Sequence, residues 1–122
     1  MDYSIKKPKS VPDTEFSMVF LQGMVDRMGV SYFKYGPVAE AKGKINEIES
    51  LKIRLNKYLE TGNTEYLMDV ANFAMIEFMQ PSHPRAYFRP TDARESPGRV
   101  WQPDEFDGSV ETSQRSNDLG VQ

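Results

Sequence analysis

Between Asp13 and Gln80 the apolar positions recur every three to four residues, the spacing of helices that bury one face. Phe16, Val19, Phe20, Met24 and Met28 predict a first helix that Asp13 or Thr14 caps and Gly29 ends. Gly23 inside it weakens the helix slightly or lets another helix come close. An aromatic connector, Ser31-Tyr32-Phe33-Lys34-Tyr35-Gly36-Pro37, follows. Pro37 suits a first helical position, and Val38, Ala41, Ile45, Ile48, Leu55 and Leu59 predict a long second helix to about Glu60. Gly62 is placed to end it in a left-handed conformation. Asn63 or Thr64 then caps a third helix that reaches about Met79, where Pro81 stops it. The short turn makes the second and third helices an antiparallel hairpin.

The fold class is therefore all-α: a three-helix core, residues 13–80, with a helical hairpin. It lies between a basic N-terminal arm, 1–12, and an extended Pro-rich C-terminal arm, 81–122. The final stretch, 102–122, is acidic and polar and reads as disordered by composition. Three helices with such apolar faces are few for a monomer. A homo-oligomer, with arms exchanged between subunits, is expected.

The third helix breaks its own pattern. It is apolar almost all round, yet Glu65, Asp69 and Asn72 stack along one stripe at i, i+4 and i+7. Carboxylates are rarely buried without a partner or a task. On the second helix Glu47, Ser50 and Arg54 make another polar stripe that an antiparallel hairpin can turn toward the first. One reading is a site between the helices, with Glu47, Glu65 and Asp69 holding Mg²⁺ and Arg54 and Asn72 touching a phosphate-bearing ligand. The other is structural: Arg54 paired with Asp69 or Glu65, and Asn72 hydrogen-bonded to backbone.

A second cluster lies in the arm. Arg85, Arg89, Arg94 and Arg99 offer planar donor forks to phosphate, and Tyr87, Phe88 and Trp101 offer stacking surfaces. The same segment can instead pack on a neighbouring subunit. His83, the lone histidine, reads as a surface or capping residue. Lys34 and Tyr35 in the connector can touch a phosphate and stack a base, or cover the end of the bundle.

Acidic residues on both helices of the hairpin, with Asp69-x-x-Asn72 ahead of apolar positions, resemble the MazG-like all-α nucleoside-triphosphate pyrophosphatases. That resemblance implies a Glu-x-x-Glu pattern on one helix, a Glu-x-x-Asp pattern on the next, and magnesium between them in a dimer or tetramer. Asp69 matches the Asp of the second pattern and Glu47 one Glu of the first. Tyr66 and Ser50 stand where the family's remaining acids belong, and Glu65 is one residue out of place. The general cast also resembles small accessory proteins of bacteriophages.

Net charge is −3, from 15 basic and 18 acidic residues, which argues against a dedicated nucleic-acid binder. There is no cysteine, so disulfides and thiolate metal sites are excluded and a reducing cytoplasm is a suitable home. No run approaches a membrane span, and no Gly-rich phosphate loop or nucleophile motif is present. The expected function is binding or sequestration of a nucleotide or a nucleotide-derived signalling molecule. The alternatives are a Mg-dependent pyrophosphatase and a structural or interaction protein, such as a virion component or an inhibitor of a host protein.

Overall fold

The computed structural model describes residues 5–92, 94–96 and 98. It contains three α-helices: α1, Met18–Tyr35; α2, Glu47–Thr61; and α3, Glu65–Met79. No strand occurs among the described residues. Arg99 and Trp101, and the acidic stretch 102–122, lie outside the described residues.

α1 begins later and ends later than the apolar spacing predicts. Asp13–Glu15 form only a short 3₁₀ turn. The cap is Ser17, whose side chain accepts a hydrogen bond from the Phe20 N–H at 3.0 Å. The helix runs on through Gly29, where no neighbouring group crowds the missing side chain. It stops at Gly36, which turns the chain at φ 89°. The expected connector Ser31–Tyr35 is thus the last turn of α1, and Lys34 lies near its negative dipole end.

The long second helix is broken. Val38–Ala41 make a 3₁₀ turn, and Gly43 adopts φ 79°, a conformation no helix contains. α2 then starts afresh at Asn46, whose side-chain oxygen accepts from the Glu49 N–H at 3.0 Å. Gly62 closes it in the left-handed conformation at φ 75°. Asn63 Oδ1 accepts from the Glu65 N–H at 3.1 Å, helping to start α3 two residues later.

α3 packs extensively on α2 and more sparingly on α1. Leu51, Tyr58 and Leu59 of α2 and Tyr66 to Ala71 of α3 are half-buried. At the α1–α3 crossing, Gly23 meets Met68: a methyl group on Gly23 would collide with the Met68 thioether. Among the described residues no large side chain is fully buried, and the most enclosed is a polar one, Asn72, at 6% exposure. Large apolar side chains stay open, from Val19 and Val25 to Phe33 at 88%. No helix among the described residues is long and apolar enough to cross a membrane.

Candidate functional site

The polar stripe of α3 faces α1 as well as α2. Arg27 of α1, which lies off the apolar stripe of that helix, reaches across to it. Its Nε and Nη2 donate to the two oxygens of Asp69 at 2.6 and 3.2 Å, a bidentate pair. Its Nη1 lies 3.0 Å from Glu65 Oε2. Asp69, with a side chain 13% exposed, is also 3.2 Å from Arg54 Nε of α2. That N–H has no aligned acceptor, so the Arg54 contact is an ion pair without a hydrogen bond. The Arg54 guanidinium also lies 5.9 Å from the centre of the Phe73 ring, within cation–π reach. The bond from Asp69 holds the Arg27 guanidinium above its ordinary pKa, against a smaller opposing effect of burial.

Asn72, one turn further along α3, donates from Nδ2 to the Met24 carbonyl of α1 at 3.1 Å. That bond decides which way the amide points, because only the nitrogen can face a carbonyl. The amide oxygen, Oδ1, is left buried with no partner. An unpaired acceptor of this kind costs roughly 1–3 kcal/mol.

These groups wall a cavity of about 300 Å³ between the three helices. Arg27, Lys34, Arg54, Asp69 and Asn72 supply its polar lining; Met28, Tyr35, Phe73 and Ile76 supply most of the apolar part. Three cations therefore share the wall with one carboxylate. The chemistry offered is capture of an anion that carries an apolar or aromatic portion.

Arg54, Asp69 and Asn72 of the hairpin stripes and Lys34 and Tyr35 of the expected connector, two separate clusters in the sequence, thus come together at one cavity. Glu65 touches the cluster through Arg27 but does not line the cavity. Glu47 stands elsewhere. It opens α2, while Glu65 opens α3 after the turn, so the two sit at opposite ends of the hairpin, about 20 Å apart at 1.5 Å per residue. The expected magnesium trio is not assembled: no group of three acids or histidines among the described residues is placed to hold a metal ion. Antiparallel geometry separates the two helix starts, and the oxygens of Asp69 are already held by guanidinium groups.

The arm residues stand apart. Arg85, Tyr87, Arg89 and Arg94 are exposed and do not line the cavity. Arg89 instead grips Glu95, and that bond lowers the Glu95 pKa below its ordinary value and raises that of Arg89. His83 Nδ1 accepts from the Arg85 N–H at 3.0 Å, a local turn contact.

Arg27 was the residue missed. A signal for it existed: Arg27 and Lys34 are seven residues apart, two turns on one face of α1. Ending the helix at Gly29 hid that relation. Comparisons with protein families, curated proteins and solved structures match nothing to this chain.

Proposed function

We propose that this chain binds a nucleotide, or a nucleotide-derived signalling molecule, in the cavity between α1, α2 and α3. The observation that carries this reading is the charge of the wall: Arg27, Lys34 and Arg54 line the cavity with Asp69 as the one lining carboxylate, and even with Glu65 paired to Arg27 the cluster keeps an excess of positive charge. The arginines and Lys34 take the phosphate. Tyr35 and Phe73 flank the base. A volume of about 300 Å³ is at the small end of ligand pockets and suits one mononucleotide.

Binding or sequestration is favoured over turnover. Both oxygens of Asp69 are engaged by Arg27, and Glu47 is too distant to share a magnesium ion with it. A thermal-shift panel of nucleoside mono- and triphosphates and cyclic nucleotides tests the proposal. A ligand at a hundredfold excess over its Kd stabilises the fold by about 2.7 kcal/mol. Arg54→Ala should remove that shift. A panel with no shift for any member would sink the proposal.

One observation favours a second reading, a structural or interaction protein. Val19, Val25, Phe33 and Phe78 are all more than half exposed, which is costly in a protein that works alone. This reading expects an oligomer or a protein partner and no shift with any nucleotide.

A further inference from the structure

Met18, Leu21, Val25, Met28, Tyr32 and Tyr35 follow one another along α1 at steps of three and four. That is the spacing of a helix seam that packs against another helix. α3 does not cover it: Met18, Val25, Tyr32 and Tyr35 are 55% to 73% exposed. The side of α1 turned to α3 carries Gly23, Arg27 and the Met24 carbonyl instead. α1 therefore has one polar face already used and, among the described residues, an apolar seam that is open at Met18, Val25, Tyr32 and Tyr35 and half-buried at Leu21 and Met28.

We infer that a second copy of this chain packs on the α1 seam and closes the open side of the cavity. Three observations point to a copy of itself. The positions that flank the seam, Ser17, Gln22, Met24, Gly29, Ser31 and Gly36, carry no charge. Flanking charges specify an opposite partner or repel an identical one, so neutral flanks let two identical helices meet without penalty. The seam is apolar at all six positions, which suits a two-fold interface where each patch meets its own copy. The seam and the cavity are also continuous, since Met28 and Tyr35 belong to both.

The seam is 18 residues long, about 27 Å. A pair of such seams buries on the order of 1,000 Å², near the lower limit of specific interfaces, so the dimer depends on concentration. The inference of a closed cavity rests on the binding reading above; the inference of a dimer does not.

Sedimentation and light scattering of the full chain test the dimer. The expected mass at high concentration is twice the 14.0 kDa of one chain. Val25→Asp should return it to one chain, with the helical circular-dichroism spectrum retained because Val25 is exposed in the single subunit. Val19→Asp, at a position more exposed than Val25 but off the seam, should leave the mass unchanged. A monomer up to the concentration of an NMR sample would overturn the inference. So would a dimer that survives Val25→Asp, or one that Val19→Asp breaks equally.

AMP binding, measured by titration calorimetry, tests the closure. Val25 does not line the cavity. If the partner walls it, Val25→Asp weakens AMP by about tenfold or more through loss of the preorganised site. Unchanged affinity in the monomeric variant would overturn the closure while the dimer stands. A wild-type dimer with no affinity for AMP or any nucleotide of the panel would sink the binding reading and, with it, the closure.

Discussion

α3 has two neighbours and meets them by different means. Against α2 it is joined by a tight Gly62 turn, packs along its length and offers half-buried apolar side chains. Against α1 the contact is short. It includes Met68 beside Gly23, the Arg27 bridge to Asp69 and Glu65, and the Asn72 bond to Met24. Apolar burial is roughly proportional to area and indifferent to direction, so it stabilises the hairpin without setting a fine register. Bidentate and amide hydrogen bonds do the reverse. They contribute modest net stability but fix orientation. α2–α3 is therefore the stable half of this three-helix core, and α1 is the half whose place is specified by polar contacts.

The sharpest way to break that contrast is Asp69→Ala. It leaves Arg27 and Arg54 facing each other with no carboxylate between them. Removing one member of a fully buried pair costs about 3–5 kcal/mol. Both arginines are near two-fifths exposed here, so a loss of about 2–3 kcal/mol is expected after discounting for solvent. That lowers Tm by roughly 10–20 °C in a domain of this size. Added phosphate should recover part of it by standing in for the missing charge. A change within experimental error would mean that Asp69 does not hold the three helices together.

Gly62→Ala probes the other half. A Cβ at φ 75° is strained whatever the space around it, and about 1 kcal/mol should be lost in chemical denaturation. Because the hairpin turn is common to every folded form, this loss should appear equally in the wild type and in a monomeric variant.

Asn72→Leu separates position from stability. It removes one hydrogen bond and one unpaired oxygen together, so the net change should stay within about 1 kcal/mol. The amides of α1 should nevertheless exchange faster with solvent than those of α2 and α3, because the register contact is gone. Equal protection of all three helices would contradict the contrast between α1 and the α2–α3 hairpin.

The smallest effect concerns Glu95 in the arm. Its pKa is lowered by Arg89, so the interaction is present above the unfolded carboxyl value and is lost as pH falls through the lower folded value. An NMR titration should show the Glu95 carboxyl below its usual range, returning to it in Arg89→Ala. Global stability should not move, since both groups are exposed.

What is legible in the sequence follows from local chemistry. Spacing alone places α3 within a residue of its bounds, and Gly62 announces its own turn, because only glycine enters that conformation freely. The oddity of Asp69 inside an apolar helix was visible too, as was Arg54 as a possible partner. Errors arose where two local signals competed. Gly29 looked like a stop, yet a glycine with room around it is tolerated inside a helix held by tertiary contacts. Ile45 continued a helical stripe, yet Gly43 at φ 79° and the Asn46 cap had already divided it.

Helix type, hairpin order and the presence of charge in an apolar setting were thus properties of the chain itself, since neighbours in sequence create them. Which cation meets Asp69 was not. Arg27 is 42 residues away from it, and only the crossing of α1 over α3 at Gly23 brings the two within 2.6 Å. The tertiary arrangement also sets Glu47 apart from the other two acids and pairs both Asp69 and Glu65 with Arg27. Side chains distant along the chain share a cavity only after helix packing has chosen their faces.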